Sequence, residues 1–237
     1  LFPQEGPFDF RFIFAYHPVF RFHEKEVAAV ASAVLEIGKS NSPPKPWTLP
    51  AQGLAVFHGC PQVYKLSHYF LPRAITDGKR VLYLDGANRF DPLLLMRLAR
   101  QRGYDVQEFN RNIRIARAFT CFQLTELLAR APRLLKGFPA DVAVVTALPE
   151  LYFDEDVREP DAITSFRQGL RALEQLAGRL PVAVFSDPLS FPAPRRKLFE
   201  QVKACAAQVW KFTVEENTAP VISNEKAAPP ALFSARR

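Results

Sequence analysis

From residue 51 onward, short apolar runs alternate with longer amphipathic segments. The runs lie at residues 54–57, 81–84, 113–117, 142–145, 182–185 and 209–214. As a group these runs are too uniformly hydrophobic for a sheet that has one face exposed to solvent. The segments between them are long enough to form crossover helices. The pattern predicts a doubly wound α/β domain, whose mainly parallel central sheet carries helices on both faces.

Two of the intervening helices have clear end signals. Asp91 followed by Pro92 is typical of an N-cap and first turn, and this helix is expected to run over 93–102 and to stop at Gly103. Asp161 precedes an apolar stripe at helical spacing that ends at Gly178. We therefore expect helices on either side of the run at 142–145.

The segments that flank this core have a different character. Residues 1–22 are aromatic and broken by prolines, which predicts an extended arm; 24–37 has helical spacing, and 40–50 reads as a proline-rich linker. Residues 223–237 lack periodicity and predict a flexible tail. The expected organisation is an arm, short helix and linker over 1–50, a core domain over 51–222 and a tail over 223–237.

Composition narrows the class of protein. The 237 residues are 48% hydrophobic and carry 31 Lys+Arg against 24 Asp+Glu, a formal charge of +7. No apolar run approaches the roughly 20 residues that cross a bilayer. Three cysteines at wide spacing support neither a disulfide framework nor a metal site, so we expect a cytoplasmic protein without a metal or a membrane partner.

The loop after the first core strand partly matches a phosphate-binding loop. In the pattern G-x-x-x-x-G-K-[ST], Gly59 fills the first glycine and Lys65 the lysine. Tyr64 stands where the second glycine belongs, and Leu66 replaces the hydroxyl residue. Gly59 and Lys65 could hold a phosphate, or could be a relic that forms only a strand-to-helix turn.

The segments that follow resemble the RecA family of recombination ATPases, and in particular the RadA-type recombinases. The likeness lies in the order of GKRVLYLDGANRFDP at 78–92, RGY at 102–104, IRIARAF at 113–119 and VAVVTALPELY at 142–152. It continues through residues 168–177, 182–186 and 204–214. The resemblance implies a RecA-like fold over about residues 51–215.

The departures from the family pattern are informative. The resemblance places the Walker B aspartate at Thr146 and the water-orienting glutamate at Ala87. Phosphoryl transfer depends on positioning and on charge stabilisation by Mg²⁺, so the joint loss of these groups predicts no efficient ATP hydrolysis. No cofactor is expected, although binding of ATP without hydrolysis stays open.

Candidate partner sites follow from charge and from the resemblance. Residues 97–136 carry nine Lys+Arg and three Asp+Glu, with Arg111 and Arg114 near the middle. Such a block can bind nucleic-acid phosphates or can be an ordinary solvated surface.

The resemblance adds two further candidates. It assigns Arg195, Arg196 and Lys197 to the second DNA-contacting loop, whereas the counterpart of the first loop, 150–161, is strongly acidic. Phe12 and Ala15 resemble the F-x-x-A hook by which RadA-type recombinases dock on a neighbouring subunit. These aromatics could equally pack on the protein's own core, so the arm predicts a protein partner or a homo-oligomer as one of two alternatives.

Three functions remain open on sequence alone. The first is a non-catalytic RecA-like accessory protein of DNA recombination or repair, which binds DNA or a protein partner. The second is an atypical ATPase that uses Lys65 with an acid such as Asp85. The third, a cofactor-binding transferase with Asp85 on a ribose, lacks the G-x-G-x-x-G loop that it needs.

Overall fold

The computed structural model describes residues 49–86, 88–187, 195–213 and 221–226. Its strands are β1 (Gly53–His58), β2 (Val81–Asp85), β3 (Ile113–Arg117), β4 (Val142–Thr146), β5 (Pro181–Ser186), β6 (Gln208–Thr213) and β7 (Val221–Lys226). Its helices are α1 (Val63–Thr76), α2 (Pro92–Gln101), α3 (Val106–Arg111), α4 (Cys121–Gly137), α5 (Glu159–Ala177) and α6 (Arg196–Cys205), with a 3-10 turn at Glu150–Phe153.

One sheet contains all seven of these strands, in the order β3-β2-β4-β5-β1-β6-β7. The pairs from β3 to β6 are parallel, and only β7 runs antiparallel, against β6. The predicted doubly wound α/β fold is confirmed, and the six predicted strands lie within a residue or two of their predicted bounds.

The sheet separates two hydrophobic cores. Along β1, Leu54 and Val56 point into one core, whereas Ala55 and Phe57 point into the other, as the two-residue period of a strand requires. The first core contains apolar residues of α4, α5 and α6, and the second contains those of α1, α2 and α3. Because both faces are covered, the strands carry apolar residues on both faces.

Aspartate side chains lie at the start of two helices, α2 and α5. Asp91 is the N-cap of α2, where its Oδ1 accepts hydrogen bonds from the backbone N–H groups of Leu93 and Leu94, each at 2.9 Å. The helix predicted to end at Gly178 is α5, which has Gly178 as its C-cap and begins at Glu159; Asp161 lies in its first turn, where it pairs with Arg158 at 2.7 Å. A first-turn carboxylate is stabilised there by the helix dipole, so both positions suit aspartate.

The predicted flexible tail is wrong for residues 223–226, which belong to β7 and pair with β6. Near the end of this strand, Glu225 Oε2 lies 2.9 Å from Nε2 of the buried His58, at the carboxyl end of β1. The predictions for the arm, for the helix at 24–37 and for the linker up to residue 48 lie outside the described residues, as does the remainder of the tail. Among the helices described, none is long and apolar enough to cross a membrane.

Candidate functional site

The loop with the partial phosphate-loop motif leaves β1 at the carboxyl edge of the sheet and leads into α1. Gly59 has φ +120°, and a Cβ at this position would overlap the carbonyl oxygen of Phe212 in β6. The next residues close into a turn, in which the N–H of Val63 donates to the carbonyl of Cys60 at 3.0 Å. The approach of β6 is therefore sufficient to explain the glycine, without a phosphate ligand.

Tyr64 fills the place of the second glycine and spans the crevice between α1 and the ends of β4 and β5. Its hydroxyl donates to Glu150 Oε1 at 2.7 Å. Burial raises the pKa of the Tyr64 hydroxyl, with the Glu150 carboxylate adding to the effect, so the hydroxyl stays protonated and donates. The guanidinium of Arg89 lies 5.8 Å from the centre of the Tyr64 ring. Lys65 follows on α1 and is half-buried.

Glu150 is the centre of a buried polar cluster. Its Oε1 accepts from Tyr64 and from Ser186 Oγ at 2.9 Å, and the backbone N–H of Asp187 also donates to it. Its Oε2 is buried and has no hydrogen-bond partner among the described residues. Burial raises the pKa of Glu150 to about 7, although the hydrogen bonds to Oε1 favour the charged form.

The residues that would supply a magnesium ligand face the core. Leu66 is 1% exposed and has no oxygen in its side chain. Ser67 is fully buried; its hydroxyl donates to the Tyr64 carbonyl at 2.6 Å and lies 2.7 Å from the Tyr83 hydroxyl. Neither side chain can reach a metal ion in the crevice.

Asp85, at the end of β2, has both carboxylate oxygens engaged by the protein. Oδ1 accepts from the N–H of Arg89 at 3.0 Å and from Thr146 Oγ1 at 3.1 Å, and Oδ2 accepts from the N–H of Phe90 at 3.0 Å. Arg117 Nε lies 3.5 Å from Oδ2. Asp85 thus holds the loop after β2 in place, which argues against its predicted use as a catalytic acid or a ribose ligand.

Thr146, which the resemblance aligns with the Walker B aspartate, makes one of these contacts to Asp85. It is fully buried, donates to Asp85, and accepts from the N–H of Gly86 at 3.1 Å. The side chain ties β4 to β2 and offers no carboxylate to a metal ion. With Tyr64, Leu66 and Ser67 placed as described, the residues present do not fit a magnesium nucleotide held as in a phosphate loop.

The basic residues after β5 divide into two groups. The Arg195 guanidinium donates to the carbonyls of Tyr152 at 3.2 Å, Asp154 at 2.6 Å and Val157 at 3.3 Å. Its donors are directed at the acidic segment, which argues against the predicted DNA contact at Arg195. Arg196 and Lys197 begin α6 and are exposed. Lys197 lines a cleft of about 340 Å³ between α5 and α6.

Arg111 and Arg114 lie at the opposite edge of the sheet, where the strands begin. Arg111 ends α3, and Arg114 is the second residue of β3; both are exposed. The structure therefore separates the two predicted DNA-binding groups, Arg111 with Arg114 and Arg195 to Lys197. The other predicted partner residues, Phe12 and Ala15, lie outside the described residues.

The histidines and cysteines near the loop are used within the protein. Buried His68 accepts the N–H of Asp91 on Nε2 at 2.7 Å, and burial lowers its pKa, so it is a neutral structural group. Over the described ranges, no group of three or more His, Cys, Asp or Glu side chains could hold a metal ion.

Sequence reasoning missed Glu150 as a site residue, because it was grouped with the acidic loop. A signal existed: Glu150 is the lone charge in the run ALPELYF at 147–153, and a charge within such a run is buried only with partners. Its partners, Tyr64 and Ser186, lie far away in the sequence and become evident only in the fold.

The strand order and the altered crevice define a RecA-like α/β protein. The family model named Rad51 matches residues 70–187, from the middle of α1 to the end of β5. This match supports the resemblance to recombinases of the RecA/Rad51 type that the sequence predicts. The loop at 59–66 precedes the matched stretch. No curated protein matches the chain.

Proposed function

We propose that this protein is a non-catalytic RecA-like accessory protein of DNA recombination or repair, which acts by binding DNA or a protein partner and does not hydrolyse ATP. One observation carries the proposal: the hydrogen bond between Tyr64 and Glu150, which spans the crevice where a phosphate loop would hold its nucleotide. The Rad51 family match supports the connection to recombination and repair.

The charges in the crevice oppose a nucleotide. Glu150 and Asp187 are both buried there, and both influence the Tyr64 hydroxyl. A triphosphate would have to displace the Tyr64 ring and then lie beside carboxyl groups, without a magnesium ligand to offset the repulsion. Because catalysis of phosphoryl transfer is mostly positioning and charge stabilisation, this crevice supports none of its steps.

Two exposed aromatic side chains at the edge of the sheet support binding of a protein partner. Phe119 and Phe122 are 62% and 51% exposed and follow the edge strand β3. Large aromatic side chains that stay this exposed on a domain with two well-formed cores are a common feature of interaction surfaces. They support the protein-partner part of the proposal without naming the partner.

The first test is ATP turnover by the purified protein, with the Lys65→Ala variant as the matched control. We expect no release of phosphate above background from either protein, with or without DNA. A rate that disappears in Lys65→Ala would contradict the proposal and restore the atypical ATPase.

The second test addresses the accessory role. Adding the protein to strand exchange by a RecA-type recombinase from the same organism should change the extent of exchange, and Lys65→Ala should act equally well. Phe119→Ser together with Phe122→Ser should weaken the effect if it acts through protein contact. No effect on exchange, combined with no binding to DNA or to the recombinase, would reject the accessory function.

A further inference from the structure

Basic side chains cluster where the strands β2, β3 and β4 begin, at the end of the sheet opposite the Tyr64–Glu150 contact. We call this cluster the amino-end surface; it consists of Lys79, Arg80, Arg111, Arg114 and Lys136, arranged around Phe138. Arg80 is half-buried and the other four cations are exposed. The cluster brings together cations from three separate stretches of the chain, at 79–80, 111–114 and 136.

Contacts within the fold hold these residues together. The guanidinium carbons of Arg80 and Arg114 lie 5.9 Å and 5.5 Å from the centre of the Phe138 ring. The N–H of Val81, next to Arg80, donates to the carbonyl of Asn112, next to Arg111, at 2.8 Å. Gly137, next to Lys136, lies beside the Arg114 guanidinium. The surface is therefore a fixed product of strand pairing and not a chance proximity of mobile side chains.

Helix ends explain only part of this charge. Arg111 and Lys136 end α3 and α4, where a cation complements the helix dipole in any α/β protein. Arg80 precedes β2 and Arg114 lies in β3, so neither complements a helix end. Their guanidinium groups are held over an aromatic ring, an arrangement that keeps the planar groups oriented.

The acidic side chains on the adjoining elements leave a net positive surface. They are Asp77, two residues before Lys79, Asp105 and Glu108 at the start of α3, and Asp141, so five cations stand against four carboxylates. Two of these carboxylates already accept backbone N–H groups: Asp105 from Glu108 at 2.9 Å and Asp141 from Arg80 at 2.8 Å. The carboxyl end of the sheet has the opposite character, because the exposed segment 154–161 is strongly acidic. A polyanion is attracted to the amino end and repelled from the acidic segment.

We infer that the amino-end surface binds the phosphate backbone of duplex DNA, so that this protein meets DNA at the end of the sheet opposite the Tyr64–Glu150 contact. The inference rests on the proposed function and deepens it by naming the ligand and the surface. Duplex DNA is favoured over a single strand because Phe138 already contacts two arginines, which leaves charge as the main attraction. A duplex carries one phosphate charge per about 1.7 Å of axis.

The test is a salt series of duplex DNA binding with Arg111→Gln/Arg114→Gln and, as the matched control, Arg196→Gln/Lys197→Gln at the other end of the sheet. Removal of two phosphate contacts should lower the magnitude of the slope of log K against log salt by about two. The amino-end variant should show this reduction and weaker binding to all sequences, whereas the control should match the wild type. Equal thermal unfolding midpoints would show that both variants are folded.

Three results would overturn the inference, and they differ in whether the proposed accessory function survives. If only the control loses affinity, DNA binds near α6, and the accessory function survives with a different surface. If the wild type binds single-stranded DNA more tightly than duplex DNA, and the amino-end variant keeps that affinity, then both the proposed ligand and the proposed surface are wrong. If the wild type binds no nucleic acid, the inference fails, while an effect on strand exchange through Phe119 and Phe122 would preserve the proposed function.

Discussion

At the scale of single residues, positions that align with the phosphate-loop and Walker B patterns make contacts that stabilise the fold. Gly59 allows β6 to approach, Tyr64 ties α1 to the end of β4, and Thr146 ties β4 to the Asp85 loop. Each contact is made to a partner more than 60 residues away along the chain. These contacts between distant protein groups stabilise the region where a phosphate loop would lie.

Gly59 provides a direct test of this view. Gly59→Ala should lower the free energy of unfolding by about 3 kcal/mol or more, because the new Cβ would overlap the Phe212 carbonyl at a φ of +120°. Gly103→Ala is the control: it has φ +74° but open space around the new Cβ, and should lose only about 1 kcal/mol. Chemical unfolding measures both. Equal small losses would show that β6 does not constrain Gly59.

Glu150 should make stability depend on pH. Its pKa rises from 4.5 to about 7 on folding, so the folded state binds a proton that the unfolded state has lost. The contribution to stability is full below about pH 4.5 and is lost as the pH rises through 7. Relative to Glu150→Gln, the wild type should lose about 2 to 3 kcal/mol between pH 5 and pH 8.

The matched control for this titration is Glu155→Gln, since Glu155 is exposed. The difference in stability between this variant and the wild type should stay constant over the same pH range. Chemical unfolding at several pH values gives both differences, and the subtraction removes the titration of His58 and His68. A constant difference for Glu150→Gln as well would mean that Glu150 is not buried as described.

At the scale of elements, the acidic segment after β4 is held by one cation. Arg195 donates to carbonyls at Tyr152, Asp154 and Val157, so it joins the start of α6 to the 3-10 turn and the loop before α5. The carboxylates of Asp154, Glu155 and Asp156 are exposed and repel one another, so these contacts to Arg195 offset a local repulsion.

Replacement of Arg195 by methionine should loosen this segment. We expect amide hydrogen exchange in 150–158 to become faster, with a loss of about 1 to 2 kcal/mol in local stability, since three charged hydrogen bonds disappear at a partly exposed site. Lys197→Met, two residues away on the exposed side of α6, should leave the exchange unchanged. If amide hydrogen exchange in 150–158 is equally slow in both variants, Arg195 does not hold this segment and becomes a candidate DNA contact again.

The elements also show which features are readable from sequence. Six strands were predictable because runs such as VLYL and VAVV are buried on both faces and need no knowledge of their partners. β7 was not, since VISNEK has little apolar character and its attachment to β6 is by backbone pairing. The N-cap Asp91 was predictable because capping is local, whereas the start of α5 was not, because acidic residues suit several first-turn positions.

At the scale of the whole molecule, charge is divided between the two ends of the sheet. The carboxyl end carries the acidic segment together with the buried carboxyl groups of Glu150 and Asp187, and the amino end carries the surface around Phe138. The six parallel strands, β1 to β6, all begin at one edge of the sheet and end at the other, so the loops before them and the loops after them lie at opposite ends.

The sequence by itself determined the α/β class, the resemblance to RecA-type proteins and which residues stand at the positions of the phosphate-loop groups, because these depend on local periodicity and on residues at fixed spacings. Tertiary structure alone decided what replaced those groups, since Tyr64 and Glu150 meet only when α1 packs beside β4 and β5. It also decided which arginines are held by the protein and which face solvent. Such contacts join distant parts of the chain, and no local pattern encodes their partners.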